Sequence, residues 1–314
     1  MMANEEQLQR LQRDVSTWNA WREAHPEIFP DLERVDLQGA DLHAVDLRRA
    51  NLRRADLRGT DLIDAKLQGA CLQGASLVEA NLEGAKLQGA KLQGACLQSA
   101  SLVEANLERA DLKKANLRWA NLEGTNLQGY NLQHANLEAA NLQHVNLEGA
   151  NLEGADLKKA NLQGAKLQGA KLQGASLRYA VLQGANLQRA KLQGADLVEA
   201  KLQGADLQKA NLQGTHLQGA DLVEAKLQGA DLRGADLVEA NLQQANLQQA
   251  NLEGTNFQEV NLEGADLRGI AWPLIMALSL QAGVIWKGVQ YDLPEAEQPM
   301  GEQQEDKEKL PPQE

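Results

Sequence analysis

From Asp31 to Ile270 the chain repeats one five-residue unit without a slip of phase. Leucine stands at every fifth position from Leu32 to Leu267, 48 positions in all, and the one departure, Phe257, is still apolar. A small residue, nearly always alanine, lies two positions before each leucine, and mostly Asp, Asn, Lys, Ser or Cys fills the place between them. Two polar or glycine positions follow, as in Gln-Gly, Val-Glu and Lys-Lys. A fixed period of this kind decides the architecture before any local propensity does.

Five residues fit neither common template. An α-helix rotates about 500° in five residues, so the leucine row would spiral around its whole surface. A flat strand changes face every two residues, so every second leucine would meet water. The pattern asks instead for a chain that turns a corner every five residues, which lets each leucine and each small residue face one shared axis. Glycine just before a corner suits a tight turn. Such coils must stack at strand spacing to pair their backbone N–H and C=O groups.

Runs such as Ala105-Asn106-Leu107-Glu108-Arg109 and Ala155-Asp156-Leu157-Lys158-Lys159 resemble the A-(D/N)-L-x-x motif of pentapeptide-repeat proteins. The stretch Trp18-Asn19-Ala20-Trp21-Arg22-Glu23, followed by Pro30-Asp31-Leu32, is similar to the lead-in of many bacterial, especially cyanobacterial, members. The resemblance implies an all-β solenoid, a right-handed quadrilateral β-helix with four pentapeptides per coil. The 48 repeats then make about 12 coils, a rod roughly 58 Å long at about 4.8 Å per coil. The expected organisation is an N-terminal helical cap over residues 1–29, the repeat coil over 30–270, a short helical and irregular C-terminal cap over 271–291, and a disordered acidic tail over 292–314.

The net charge of −12 is unevenly spread. The coil carries 30 acids and 25 bases, and residues 271–314 alone carry −5. Cys71 and Cys96 stand 25 residues apart, one coil plus one face, so they are not stacked neighbours and a disulfide between them is not expected. Free thiols suit a reducing cytoplasm, and the N-terminus lacks a signal-peptide core.

Residues 4–24 read as one amphipathic helix. Asn4 with Gln7 resembles a capping box, and Leu8, Leu11, Val15, Trp18 and Trp21 make one apolar stripe that suits a lid over the first coil. Arg48, Arg49, Arg53, Arg54 and Arg58 form the one dense basic patch. It reads either as a contact for an acidic partner or as a solvated edge beside Asp46, Asp56, Asp61 and Asp64. No aromatic residue interleaves it, which argues against a nucleic-acid stacking surface. Asn106, Asn126 and Asn146 are 20 apart, as are Asn121, Asn141 and Asn161, and should stack as ladders. His134 and His144 are half a coil apart and cannot share a metal. Glu239 and Glu259 should stack on a convex edge without a pocket. Trp119 and Tyr179 fall on one edge, three coils apart, as exposed candidate partner contacts. Tyr130 occupies an alanine slot, where a phenol fits only if the coil opens or the ring turns outward.

After Gly269 the repeat ends in the most apolar stretch of the chain, residues 270–286. Pro273 marks the first turn of a short helix, Gly283 its stop, and 284–291 a last irregular strand. Trp272, Leu274, Ile275, Leu278, Ile285 and Trp286 are candidate cap or homodimer contacts. A membrane anchor is the third reading, although 17 residues fall short of the usual span of about 20. No nucleophile triad, phosphate loop or zinc cluster is present, so no catalytic, cofactor or metal-binding residue is assigned. The expected role is a non-enzymatic scaffold or interaction module with a protein partner and no direct nucleic-acid binding. The resemblance adds an alternative, a duplex-DNA mimic that binds a type II topoisomerase. Near-balanced charge on the coil weighs against that reading.

Overall fold

The computed structural model describes residues 4–293. From Asp31 onward the backbone pairs with itself at a fixed offset. Asp31 bridges Asn51 in parallel, Asp36 bridges Asp56, and the ladder continues at 20-residue spacing to Asn246 with Asp266. Each five-residue unit is one side of a square coil, and each corner is a β-turn closed from alanine to leucine, as in Ala70 N–H to Leu67 O at 3.0 Å. At the third residue of every such turn from Arg34 to Gly269 φ is positive, the signature of a type II turn. Glycine fills only half of these corners: 24 hold glycine and 24 hold another residue. The sequence therefore under-reads the turn. The conformation is imposed by the stack even where the side chain disfavours it by about 1 kcal/mol.

The leucine row and the alanine row both point inward, and the core contains little else; Leu32, Leu152 and Phe257 are each 0% exposed. Thr60, Thr125, Thr215 and Thr255 take the alanine slot and stay buried because each hydroxyl donates to the carbonyl of the leucine three residues earlier. The Asp and Asn residues before the leucines cap their own turns rather than forming the continuous ladders expected. Asn161 Oδ1, for example, accepts from Gln163 N–H at 3.2 Å. Amide-to-amide rungs survive at Asn141 to Asn121, 3.0 Å, while Asn51 donates to Asp31 at 2.9 Å. The local turn wins because it is closed without ordering a second side chain.

The single N-terminal helix is in fact two. α1 spans Glu5–Arg13 and α2 spans Val15–Ala24. Asp14 breaks the run at φ −171° and caps α2 through Thr17 N–H at 2.6 Å. The Ser16 hydroxyl, together with that amide, holds the Asp14 carboxyl down at about 2. Asn4 caps α1 through Gln7 N–H at 3.1 Å, but the Gln7 side chain turns to the coil instead of closing the box. Trp18 is fully buried, and its indole N–H donates to Asp46 O at 2.8 Å.

At the other end α3, Trp272–Ser279, lies over the last full coil with Ile275 and Leu278 buried. Gln281 takes the place of a missing coil: its Oε1 accepts from Phe257 N–H at 2.6 Å and its Nε2 donates to Thr255 O at 3.3 Å. The ladder then resumes at an offset of 24, Asn261 with Ile285 and Asp266 with Gln290. Among the described residues no helix is long and apolar enough to cross a membrane. The expected tail lies, from residue 294 on, outside the described residues.

Tyr130 turns inward, 8% exposed, and the coil opens around it. The rung Asn106–Asn126 is missing from the ladder. Six backbone bonds that neighbouring coils make fall outside hydrogen-bond geometry here, those of the Glu104, Leu107, Arg109, Leu112, Asn126 and Asn131 amides, with those of Leu112 and Asn131 stretched but still bridging Asp111 to Asn131. Clefts of about 570 and 480 Å³ flank the ring.

Candidate interaction surface

The square section gives the rod four edges, and the residue at each edge is the positive-φ corner. Along three edges non-glycine corners occur singly or in pairs. Along the fourth, seven follow without a break: Glu79, Ser99, Trp119, Ala139, Lys159, Tyr179 and Glu199. Each costs about 1 kcal/mol relative to glycine, so this edge carries side chains that folding alone would not favour.

Trp119 and Tyr179 dominate it, 52% and 42% exposed. They stand three coils apart, about 14 Å at strand spacing. Each ring is backed by the preceding arginine. The Arg118 guanidinium lies 3.9 Å from the Trp119 ring centroid, and Arg178 lies 5.7 Å from that of Tyr179. The arginines are themselves tethered one coil on, Arg118 Nη2 donating to Glu138 Oε1 at 3.1 Å and Arg178 Nη1 to Asp196 Oδ2 at 3.3 Å. The rings are thus held by cation–π contacts on one side and open to solvent on the other. Low ordering cost makes such rings good contact points.

The basic patch does not hold together as one site. Arg48 forks onto Asp46, with Nε to Oδ1 at 2.9 Å and Nη2 to Oδ2 at 2.5 Å. Arg58 does the same to Asp56, and Arg49 lies 5.5 Å from the Phe29 ring centroid. Of the five, Arg49, Arg53 and Arg54 have no ion pair among the described residues, and Arg49 has only the ring contact. Burial pushes the Asp46 carboxyl up, and the Arg48 fork and amide more than reverse it. The same Asp-Leu-Arg fork recurs at Asp231 with Arg233 and at Asp266 with Arg268. The tripeptide is the sequence signal for this neutralisation, and at Arg48 and Arg58 it favours the solvated edge beside Asp46 and Asp56.

Of the C-terminal candidates, Ile275 and Leu278 face the coil, while Trp272, Leu274 and Trp286 are partly buried against it. Trp272 also packs on Tyr291 at 5.7 Å between ring centroids. Ile285 is exposed, and so are Met276 and Leu280, which sequence reasoning did not single out. His134 and His144 sit on separate corners beneath Gly154 and Gly164. Among the described residues no group of three or more His, Cys, Asp or Glu is placed to hold a metal.

The family model described as pentapeptide repeats matches the chain in eight copies, in blocks running from 31–69 to 235–270. One block ends at 129 and the next begins at 131, on either side of Tyr130. Among solved structures, HetL, a pentapeptide repeat protein involved in heterocyst differentiation regulation from the cyanobacterium Nostoc sp. strain PCC 7120, is 33% identical over 79% of this chain and 95% of its own, with a TM-score of 0.28. Rfr23 from the cyanobacterium Cyanothece 51142 is 36% identical over 34% of this chain and 60% of its own, with a TM-score of 0.20. QnrB1, a plasmid-mediated fluoroquinolone resistance protein, is 19% identical over 66% of this chain and 91% of its own, with a TM-score of 0.31. No curated protein matches. With the repeat model covering the coil from end to end, this chain belongs to the pentapeptide-repeat family, whose members fold as right-handed quadrilateral β-helices.

Proposed function

We propose that the protein is a non-enzymatic interaction module, a rod of about 12 coils capped at both ends, that engages a protein partner along the Trp119–Tyr179 edge. The reading rests on the unbroken run of seven strained, non-glycine corners. A core of leucine and alanine is indifferent to what stands at a corner, and glycine is the residue that stabilises it. Retention of bulky side chains there is explained by contact rather than by folding. Two free cysteines accord with the reducing cytoplasm we propose as its compartment.

The strain supplies a clean test. Replacing Trp119 and Tyr179 with glycine relieves two disfavoured corners, so the variant should fold at least as stably as the parent. Partners captured by the full-length chain should be lost by this variant and kept by Gln244→Gly, which relieves the same strain on another edge. Capture that survives the double substitution refutes the reading.

A second contact is favoured by one observation, the exposure of Met276, Leu280 and Ile285 on the C-terminal cap. We propose a homodimer through this cap. Sedimentation of the parent against Leu280→Glu tests it, and a parent that stays monomeric at high concentration rules it out. The duplex-mimic reading gains nothing from the surface, where arginine forks neutralise Asp46, Asp56, Asp231 and Asp266. A supercoiling assay with purified gyrase addresses it directly. The absence of both protection and inhibition at micromolar protein would remove it.

A further inference from the structure

Away from the Tyr130 seam, each face inside the rod is joined to the coil before it by three backbone bonds. On the second face these are Asp56 N–H to Val35 O at 2.8 Å, Leu37 N–H to Asp56 O at 2.9 Å and Gly39 N–H to Arg58 O at 2.9 Å. The first coil has no coil before it, and the helical cap substitutes on only part of its rim. On the first face Asp31 N–H donates to Gln7 Oε1 and Asn4 N–H to Asp31 O, both at 2.9 Å. On the fourth, Asp46 N–H donates to Asn19 Oδ1 at 2.8 Å and the Trp18 indole donates to Asp46 O. Between these anchors the rim is open. Among the described residues, Asp36 N–H and O, Gln38 O, and Asp41 N–H and O have no partner.

A cleft of about 520 Å³ runs along this open rim, between the α1–α2 junction and the second and third faces. Leu11, Leu37 and Leu42 back it but are packed into the core, so the accessible lining is mostly polar. Asp14, Asp36 and Asp41 line it against a single base, Arg13. Unpaired strand edges template the addition of another strand. The charge balance here selects a cationic one.

The rod itself supplies the pairing rule. At several faces the residue after an inward leucine reaches the residue before the inward leucine one coil on, 18 positions later. Gln188 Nε2 donates to Asp206 Oδ2 at 2.7 Å, Gln248 to Asp266 at 2.6 Å, and Arg178 to Asp196 at 3.3 Å. Asp36 and Asp41 hold the receiving position, and no such neighbour stands above them. We propose that this rim binds an extended segment of a partner protein by strand addition. The segment carries two basic residues five apart, its backbone pairing with the open edge and its cations resting on the exposed Asp36 and Asp41.

The probe is a fluorescent ten-residue peptide, two copies of Ala-Asn-Leu-Arg-Gly, titrated against the full chain by anisotropy. Saturable binding is expected, at least tenfold tighter than for the same peptide with Glu in place of Arg. Asp36→Asn with Asp41→Asn should abolish that preference while leaving the fold intact, because asparagine caps the same turn at Asn81 and Asn161. Equal affinity for the two peptides overturns the proposal, as does no binding in the millimolar range. Binding that appears only after removal of residues 1–3 assigns the rim to the chain's own N-terminus. Self-association that the peptide cannot displace assigns it to a second copy. Either result also overturns the proposal.

Discussion

Replacing Tyr130 with alanine should stabilise the rod, against the usual cost of removing a buried ring. Two opposing terms decide the sign. The ring is 8% exposed, so its removal forfeits a burial term of about 2–3 kcal/mol. Truncating a large core side chain costs more, about 3–5 kcal/mol, when a cavity is left behind. Here the space exists because the ring holds two coils apart, and alanine fills that slot in the coils on either side, at Ala110 and Ala150. Closure then restores the six lost or stretched inter-coil bonds at Glu104, Leu107, Arg109, Leu112, Asn126 and Asn131. At about 1 kcal/mol each net of water, they contribute at most about 6 kcal/mol. The balance is a gain of at most about 3 kcal/mol local to the seam.

A melting curve is a poor witness, because a repeat array unfolds through partly folded states. Hydrogen exchange reads the seam residue by residue. In the parent the five amides other than Arg109, whose N–H reaches the Tyr130 hydroxyl, should exchange far faster than their counterparts one coil on, such as Leu127 and Gly124, which are bonded at 2.7 and 2.9 Å. In Tyr130→Ala their protection should rise by up to about a hundredfold, the limit that about 3 kcal/mol sets. If protection falls throughout 104–131 instead, the ring is a keystone and the wedge account is wrong.

Other outcomes follow from the same geometry. Burial and the nearby Glu108 carboxylate push the Tyr130 phenol up to about 12. An ultraviolet titration should show one of the three tyrosines lagging the others, and the associated stability should be intact below about pH 10 and lost as pH rises through 12. The Arg268 fork holds Asp266 down at about 2. Its contribution is present above about pH 4 and lost as pH falls through 2, so Asp266→Asn should flatten that part of the acid limb of a stability–pH profile. Leu152→Asp buries an unpaired charge in a fully enclosed row and should break the stack, read as lost β-type circular dichroism. Gly89→Ala meets nothing within 4 Å and should cost only the corner strain of about 1 kcal/mol. Gly283→Ala should cost clearly more, since its Cβ would stand 3.2 Å from Glu259 Cα.

What the sequence discloses depends on how many residues share each decision. The inward leucine row is settled by 47 concordant votes, and one phenylalanine cannot move it. The corners are legible only by half, because the stack imposes positive φ on Trp119 or Lys159 as firmly as on glycine. Their exception becomes visible only when residues 20 apart are set side by side. Then one edge stands out for its lack of glycine, a contrast invisible along the chain. The break at Asp14 turned on one carboxylate choosing Thr17 N–H over the helix, a local competition that an apolar stripe running through both helices conceals. Tyr130 is the opposite case. Its misfit with the alanine row is plain in the sequence, but two remedies were available, an outward ring or an opened coil. Burial of the ring is worth about 2–3 kcal/mol, and opening forfeits backbone bonds worth at most about 6 kcal/mol net. Rotating outward was blocked all the same, because the Cβ direction at the alanine slot is fixed inward by the turns on either side, Leu127 to Tyr130 among them at 3.2 Å. The coil yields because its corner geometry cannot, and the seam is therefore where this otherwise uniform rod should open first.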